Sequence, residues 1–353
     1  MFKDSYIIIG VMSGTSLDGI DLAHIIFSFK KGIWDFKILN SETIPYTIYW
    51  LNKLKAAVDY TDAVLQELNQ EYTVLLGETI NQFIHRYDIQ NIDAVCSHGH
   101  TILHQPQNKY TLQIGNLPKI RQIVNYTVVC DFRVQDVQLG GQGAPLVPIG
   151  DRMLFSEFDY CLNLGGFSNV SFDLDMQRIA FDISPVNTVL NFYAHTLGLE
   201  YDDSGSISRS GKINTALLEA LNAFDYYKRP YPKSLGFEFV KETVLPLIEK
   251  YTIPVEDKMH TFTEHVAIQT NKALAKKESR MLITGGGAYN NFLIERIRFH
   301  LPKTTVVIPD KKTIEFKEAL IFGLLGVLKL RNEINVLSSV TGAKYDHSSG
   351  VIY

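Results

Sequence analysis

Residues 10–21 read GVMSGTSLDGID, a turn of small and polar residues set between two apolar runs. The run at 6–11 leads into this turn, and residues 21–29 resume apolar character after it. Short apolar runs bounded by turn residues are typical of β-strands. The stretch therefore predicts a strand, a glycine- and serine-rich turn at 13–19, and a second strand.

The same pattern returns later in the chain. The segment 160–164 leads into Gly165 and Gly166, and strand-like runs follow at 170–174 and 179–183. A third apolar segment, 280–284, runs into Gly285, Gly286 and Gly287. A buried strand that feeds a small-residue turn and returns as a strand thus occurs twice, which suggests an internal repeat.

Helical periodicity separates these strand-like segments. Apolar residues recur at three- and four-residue steps over 59–86, and helical patterns follow at 185–199, 213–224, 262–277, 291–299 and 313–330. Strands that alternate with helices predict an α/β architecture. A length of 353 residues suggests two domains, although no low-complexity linker separates them.

Bulk composition excludes several classes of protein. The net charge of −4 does not indicate a nucleic-acid-binding protein, and 46% hydrophobic residues supply ample core. The start lacks the basic flank of a signal peptide, and the longest apolar run, 319–328, is about half of the roughly 20 residues that span a bilayer. The widely spaced Cys96, Cys130 and Cys161 fit buried thiols in a reducing, cytoplasmic setting.

Each glycine-rich turn follows a predicted strand, where successive N–H groups can hold phosphate oxygens. The first turn also supplies hydroxyls (Ser13, Thr15, Ser16) and carboxylates (Asp18, Asp21), and carboxylates hold magnesium beside nucleotide phosphates. None of the turns is a Walker or Gly-x-Gly-x-x-Gly sequence, so an ordinary hairpin stays an alternative for each.

Two further segments carry chemistry. Residues 97–104 read SHGHTILH, and His98, His100 and His104 fit either a metal site or a polar loop that lines a cleft without metal; we favour the loop. Asp182 ends a predicted strand, where α/β folds place functional groups, although a lone aspartate there is often a cap or turn former.

Ordered strings along nearly the whole chain resemble the anhydro-N-acetylmuramic acid kinase family. The resemblance begins with GVMSGTSLDGID and continues through SHG at 97–99, TLQIG at 111–115, DFR at 131–133, the glycine-rich segment 140–148, residues 162–169, FD at 181–182, PKS at 232–234, residues 285–291, EA at 318–319 and VTGA at 340–343. The resemblance implies a two-domain, actin-like ATPase fold with a related mixed sheet and flanking helices in each domain and ATP in the interdomain cleft. We expect one domain at 1–150, completed by 331–353, and the other at 151–330.

The resemblance also implies the cofactors, ATP and Mg²⁺, and the residues that hold them. The implied nucleotide-binding residues are Gly14, Thr15, Ser16, Leu17, Asp18, Gly19, Ile20 and Asp21 in the first turn, Gly165 and Gly166 in the second, and Gly285, Gly286, Gly287 and Asn290 in the third. Asp18 would lie at the magnesium.

Family members open the anhydro sugar with water and phosphorylate the freed O6. By resemblance, Asp182 is the general base that activates the water, a task suited to a carboxylate. The residues implied for the sugar site are His98, Asp131, Arg133, Gln142 and Glu318. The implied partners are the small-molecule sugar and ATP, with a possible homodimer and neither nucleic acid nor membrane.

Some positions depart from the family pattern. His100 replaces a common Gln, Ile183 and Ser184 follow Asp182 in place of Thr-Gly, and Phe237 replaces an Arg. These departures concern sugar specificity more than ATP chemistry. Two alternatives stay open at this point: a non-catalytic sugar- or nucleotide-sensing member of the same superfamily, and a metal-dependent hydrolase that uses His98, His100 and His104.

Overall fold

A computed structural model describes residues 2–14, 16–276 and 278–353. Contacts divide the chain into two compact units, Met1–Leu154 with Phe316–Tyr353, and Phe155–Glu315. The sequence-based domain limits at residues 150 and 331 stay a prediction.

The first part of the chain forms the body of the first unit. Its strands are β1 (Ser5–Ser13), β2 (Ile20–Lys30), β3 (Ile33–Ile44), β4 (Ala94–Gln105), β5 (Tyr110–Ile114) and β6 (Val128–Cys130). Its α-helices are α1 (Ile48–Ala56), α2 (Asp62–Arg86), α3 (Lys119–Val124), α4 (Val134–Gln138) and α5 (Val147–Leu154), with 3-10 turns at Ala57–Asp59 and Pro106–Asn108.

The second unit is built in the same manner. Its strands are β7 (Tyr160–Leu164), β8 (Phe167–Leu174), β9 (Gln177–Pro185), β10 (Ser279–Thr284) and β11 (Thr304–Val307). Its α-helices are α6 (Asn187–Thr196), α7 (Ser206–Ser210), α8 (Thr215–Asn222), α9 (Phe237–Phe239), α10 (Leu245–Glu249), α11 (Val255–Ala273) and α12 (Asn291–His300). Shorter turns are 3-10 at Asp203–Gly205, Asp225–Lys228 and Gly286–Tyr289 and π-helical at Val240–Val244.

The chain then returns to the first unit through a long helix. This helix, α13 (Lys311–Leu330), changes direction at Phe316, whose φ of −111° and ψ of 17° are not helical. It is followed by α14 (Ser338–Thr341) and β12 (Val351–Ile352). Residues 319–328 of α13 are small or apolar and buried. Gly10 allows close packing on this helix, because an ideal Cβ there would lie 2.2 Å from the carbonyl oxygen of Ala319.

Five strands of the first sheet repeat the topology of the second sheet, and β5 and β12 are additional strands of the first. The first runs in the order β12-β6-β4-β1-β2-β3 with β5 paired to β4, and the second in the order β11-β10-β7-β8-β9. In each, an antiparallel three-strand meander (β1-β2-β3 and β7-β8-β9) is extended by parallel strands on its first member. The predicted α/β class with a related mixed sheet in each half is confirmed, and so is the repeated strand-turn-strand unit.

Each unit has its own core. In the first, Ile9, Leu22 and Val95 of the sheet pack with Leu76 and Ile80 of α2. In the second, strands β7 to β10 pack with helices α6, α8, α11 and α12. The apolar runs that predicted strands and helices therefore supply these cores, as burial of apolar surface requires.

Two predicted elements differ from the structure. Helix α11 begins at Val255, before the expected start at 262, because Glu256 and Asp257 suit a helix N-terminus although they break the apolar pattern. The polar loop expected at 97–104 is wrong: β4 continues to Gln105, because β5 returns alongside it and pairs His100 with Ile114. Among the described residues, no helix combines the length and apolar character needed to cross a bilayer.

Candidate active site

The first glycine-rich turn connects β1 to β2 in the first unit. The N–H of Leu17 donates to the carbonyl of Gly14 at 3.2 Å, and Leu17 has a φ of 65°. Gly19 has a φ of 158°, and an ideal Cβ there would lie 2.4 Å from the carbonyl oxygen of Ile44. The end of this turn therefore tolerates only glycine.

The expected ligands in this turn have different surroundings. Ser16 and Asp18 are exposed, so their oxygens are available to a ligand. Ile20 is buried in the core, and Asp21 accepts a 2.5 Å hydrogen bond from the hydroxyl of Thr43. Thr15 lies outside the described residues.

Three of the predicted sugar-site residues come from different elements: His98 lies within β4, Arg133 follows β6, and Glu318 lies on α13. The Nε–H of Arg133 donates to Nε2 of His98 at 2.7 Å, while Nδ1 of His98 lies 2.9 Å from the carbonyl of Gly99. This arrangement assigns the proton to Nδ1, since Nε2 accepts from the guanidinium. Burial and the nearby Arg133 hold the pKa of His98 well below its usual range.

Charge couples Arg133 to Glu318. Desolvation lowers the pKa of Arg133 to about 10, against the opposing effect of Glu318 and Asp136. Desolvation also raises the pKa of the Glu318 carboxyl, and the positive charges of Arg133 and Lys317 oppose that rise. Surrounding protein atoms desolvate the Glu318 carboxyl. The side chain is nevertheless accessible to solvent, and a ligand can therefore reach it.

A buried carboxylate holds the glycine-rich segment 140–145. Asp136 of α4 accepts from the N–H of Gly143 at 2.7 Å and from the hydroxyl of Thr341 at 2.7 Å. The N–H of Gln142 donates to the carbonyl of Thr341 at 2.8 Å, which leaves the Gln142 side chain exposed. Arg133 donates from Nη1 to the carbonyl of Gly143 at 2.5 Å.

Asp131 turns the chain after β6. It has a left-handed φ of 57°, and its carboxylate accepts from the N–H of Val134 near the start of α4. Burial raises the pKa of Asp131, and this N–H opposes the rise. The structure therefore brings His98, Arg133 and Glu318 into one charge-coupled group, with Asp131 and Gln142 on the adjoining turns.

The second and third glycine turns meet in the second unit. Strands β7 and β10 are parallel neighbours that pair Asn163 with Thr284, so the turns after them lie side by side. An ideal Cβ on Gly285, which has a φ of 82°, would lie 2.5 Å from Oδ1 of Asn163 and 2.8 Å from the carbonyl carbon of Leu164. Gly286 and Gly166 are exposed. Together these turns present main chain without side chains.

Asn290 has a structural contact beside these turns. Its side chain accepts from the N–H of Leu293 at 2.9 Å and so caps α12, while Gly205 packs against it. Asn290 is buried. A direct nucleotide contact by Asn290 stays a prediction.

Asp182 lies near the end of β9, the edge strand of the second sheet. Its Oδ2 accepts from the N–H of Leu235 at 2.8 Å. Burial raises the pKa of this carboxyl, and the Leu235 hydrogen bond opposes the rise. Asp182 is only partly buried, so a water molecule or ligand can reach it.

Sequence reasoning missed the segment that holds Asp182. The N–H of Asp182 donates to the carbonyl of Lys233 at 3.1 Å, and the hydroxyl of Tyr226 donates to the carbonyl of Asp182 at 2.6 Å. Lys233 lies over the ring of Tyr226 at 4.8 Å. The family-like string PKS at 232–234 marked this segment in the sequence, but the string alone does not predict that the segment contacts Asp182.

The histidines do not form a metal centre. His98 is committed to Arg133 and Gly99, His100 to the hydroxyl of Ser13, and His104 lies 3.0 Å from the hydroxyl of Thr111. Within residues 2–14, 16–276 and 278–353, no group of three histidine, cysteine or acidic side chains is placed to hold a metal ion. The metal-dependent hydrolase alternative is not favoured.

Comparison with known proteins identifies the relatives of this chain. The family described as anhydro-N-acetylmuramic acid kinase matches residues 6–353. The protein named anhydro-N-acetylmuramic acid kinase from Mannheimia succiniciproducens is 33% identical over 379 residues, covering 100% of both chains. The protein of the same name from Pasteurella multocida is 33% identical and covers 98% of this chain and 96% of its own.

Similarity to solved structures is more distant. Component A of the Acidaminococcus fermentans (R)-2-hydroxyglutaryl-CoA dehydratase is 12% identical, with a TM-score of 0.45 over 93% of this chain and 100% of its own. A similarity at this level adds nothing to the sequence relationship.

Proposed function

The chain belongs to the anhydro-N-acetylmuramic acid kinase family, and on that premise we propose that it opens 1,6-anhydro-N-acetylmuramic acid with water and phosphorylates the freed O6. The proposed products are N-acetylmuramic acid 6-phosphate and ADP. One water is consumed: its oxygen is added at C1 as the bond from C1 to O6 breaks. O6 then takes the γ-phosphoryl group of ATP. One proton of the water stays on the new C1 hydroxyl, and the other is released.

The observation that carries this proposal is the setting of Asp182. A general base needs an accessible, ionised carboxylate whose pKa is nearer to neutrality than that of a free aspartate. Desolvation raises the pKa of Asp182 and the Leu235 N–H fixes Oδ2. The raised pKa and the fixed orientation of Asp182 therefore support its assignment as the base that takes a proton from the attacking water.

The group His98–Arg133–Glu318 supports the sugar-binding assignment. Arg133 is held by two of its own hydrogen bonds, to His98 and to the Gly143 carbonyl, so its charge is fixed in place before a ligand arrives. The substrate of the proposal is an acid with hydroxyl groups. A fixed guanidinium and the solvent-accessible Glu318 carboxyl are suitable partners for such a molecule.

The nucleotide is assigned to the glycine turns. Among the glycines of the second and third turns, Gly166 and Gly286 are exposed and present main-chain groups without a side chain, which is what close approach of phosphate requires. The first turn adds the exposed hydroxyl of Ser16 and the exposed carboxylate of Asp18.

The donor set of the first turn fits a magnesium ion. Mg²⁺ prefers oxygen ligands and usually combines one or two carboxylates with waters and phosphate oxygens. Asp18 is accessible for this role, whereas Asp21 already accepts from Thr43. When bound, magnesium neutralises charge on the transferring phosphoryl group.

The experiment is a mass-spectrometric assay in water enriched in ¹⁸O, with 1,6-anhydro-N-acetylmuramic acid, ATP and magnesium. The expected product carries one phosphate and one ¹⁸O atom from water, and ADP forms in equal amount. Phosphorylation without ¹⁸O would contradict hydrolytic opening, and release of ADP without a phosphorylated sugar would contradict the kinase reaction. Wild-type protein without ATP is the matched control.

A further inference from the structure

Four polar side chains meet beneath the first glycine turn, and we call them the anchor cluster: Ser13, Tyr46, Tyr72 and His100. Each comes from a different part of the first unit. Ser13 is the last residue of β1, Tyr46 follows β3, Tyr72 lies on α2, and His100 lies on β4 beside Ser13 in the sheet register. The cluster therefore joins four elements at the residue that precedes Gly14.

The contacts within the anchor cluster centre on one oxygen. Oγ of Ser13 lies 2.5 Å from the hydroxyl of Tyr46, 2.7 Å from Nδ1 of His100 and 3.1 Å from the hydroxyl of Tyr72. The two tyrosine hydroxyls lie 2.5 Å apart. Ser13 and His100 are each 2% exposed and Tyr72 is fully buried.

Counting protons fixes the direction of these hydrogen bonds. Tyr72 donates its only hydroxyl proton to Ser13, so Tyr46 must donate to Tyr72. Ser13 then donates its hydroxyl proton to the Tyr46 oxygen. Ser13 therefore has no proton left for His100, and their contact is a hydrogen bond only if Nδ1 of His100 is the donor. All four contacts are satisfied in this single arrangement, in which Nδ1 of His100 carries a proton; burial lowers the pKa of His100 to about 4, so the imidazole is neutral at pH 7.

The Ser13 hydroxyl therefore has no hydrogen-bonding capacity left for a ligand. It accepts from Tyr72 and His100 and donates to Tyr46, which fills one donor and two acceptor positions. Although the sequence offered Ser13 as a phosphate donor, its hydroxyl is committed inside the protein. Ser13 lies instead at the point where the chain leaves β1 and enters the turn at Gly14.

We propose that the anchor cluster positions the first glycine turn for the phosphate groups of a nucleoside triphosphate, with Ser13 as its centre. This inference rests on the proposed function, which assigns ATP to that turn. A turn that begins at glycine has many accessible conformations, and binding must restrict them at an entropic cost. Holding the preceding residue from four elements removes part of that cost before the ligand arrives.

The test measures MgATP affinity by titration calorimetry, which needs no sugar and no turnover. The variants are Ser13→Ala, Tyr72→Phe and the double variant. We expect each single change to weaken MgATP binding about 10-fold. We expect the double variant to bind no more weakly than Ser13→Ala, because Tyr72 acts through Ser13 and the two losses are not additive.

Tyr160→Phe is the matched control. Tyr160 is also a buried tyrosine whose hydroxyl is hydrogen-bonded, accepting from the N–H of Lys276 at 2.8 Å, but it lies at the start of β7, away from the glycine turn at the other end of that strand. The Tyr160→Phe variant should be less stable than wild type but should bind MgATP with the same affinity. Thermal unfolding of each variant separates loss of the fold from loss of affinity.

The outcomes distinguish this inference from the proposed function. Unchanged MgATP affinity in folded Ser13→Ala and Tyr72→Phe would overturn the positioning role, whether or not the wild type phosphorylates the sugar. Strictly additive losses would also overturn it, since independent effects need no common anchor. Wild-type protein that binds MgATP but forms no sugar phosphate would overturn the proposed function and leave the anchor result standing.

Discussion

The N–H of Leu235 donates a 2.8 Å hydrogen bond to Oδ2 of Asp182, across a sequence separation of 53 residues. The same segment supplies the carbonyl of Lys233 and the hydroxyl of Tyr226 to the main chain of Asp182. The segment 226–235 thus forms hydrogen bonds with the edge strand β9 at Asp182, the residue whose carboxylate it also holds. Because the main chain and one carboxylate oxygen are both fixed, the orientation of Asp182 is set before any ligand binds.

Replacing Asp182 with Asn tests its role as a base with little disturbance of this geometry. The amide oxygen can still accept from Leu235, but it cannot take a proton from water at neutral pH. We expect turnover to fall by about 10²–10⁴-fold, the usual contribution of a general base, with MgATP affinity within twofold of wild type. Turnover within tenfold of wild type would remove Asp182 from the mechanism.

The raised pKa of Asp182 predicts where activity is lost in acid. A base works only when ionised, so kcat/KM for the sugar should decline as the pH falls through this pKa, tenfold per unit below it. Burial raises that pKa above the ordinary value of 3.8, so the decline should begin at a higher pH than for a free aspartate. The check is a pH profile of kcat/KM, with MgATP affinity over the same range as control.

Arg133 is expected to be irreplaceable by lysine. The guanidinium donates to His98 and to Gly143 from two different nitrogens, and a single ammonium cannot reproduce that fork. Arg133→Lys should raise the KM for the sugar at least tenfold while MgATP affinity stays within twofold. Arg86→Lys is the matched control, because Arg86 forms an ion pair with Glu42 at the surface. An unchanged KM would contradict the sugar-site assignment.

Much of the fold could be predicted from the sequence, since its signal is local. The apolar runs at 6–11, 160–164 and 280–284 became strands because short apolar segments beside glycine turns have few other ways to be buried. Strand β3 was missed because residues 33–44 mix polar and apolar side chains and are mostly half-exposed. The continuation of β4 was missed because its partner, β5, supplies pairing that a single strand's sequence does not show.

The site was less predictable, because its contacts join distant parts of the chain. Family resemblance pointed to Asp182 and Arg133, but the partners that hold them, Leu235 and the Gly143 carbonyl, act through main-chain atoms that carry no sequence signal. Tyr46 and Tyr72 were likewise unmarked. Their roles follow only from the fold, which brings their hydroxyls to Ser13.

Gly285 and Gly198 form a matched pair for testing the third glycine turn. Both have left-handed φ angles, 82° and 76°, but a Cβ would lie 2.5 Å from Asn163 at Gly285 and would meet nothing within 4 Å at Gly198. Gly198→Ala should cost only the conformational penalty of about 1–2 kcal/mol. Gly285→Ala should cost more and also weaken MgATP binding at least tenfold. Equal effects of both variants on stability and affinity would show that close approach at Gly285 is unimportant.

Burial of His100 predicts a loss of stability in acid. Desolvation lowers its pKa from 6.5 to about 4, so the unfolded chain binds a proton at a pH where the folded protein does not. Stability from the neutral imidazole is therefore fully present above pH 6.5 and is lost as the pH falls towards 4. Between pH 7 and pH 5 the loss from this group is about 2 kcal/mol, at 1.36 kcal/mol per pKa unit.

The measurement is the free energy of unfolding in urea at pH 7 and pH 5, for wild type and His100→Asn. Asparagine does not titrate and can offer an N–H to Ser13, so the variant should lose about 2 kcal/mol less than wild type over this interval. Other ionisable groups are the same in both proteins and cancel in the difference. If both proteins lost the same free energy, burial would not be lowering the pKa of His100, and its imidazole would not contribute to the acid sensitivity of the fold.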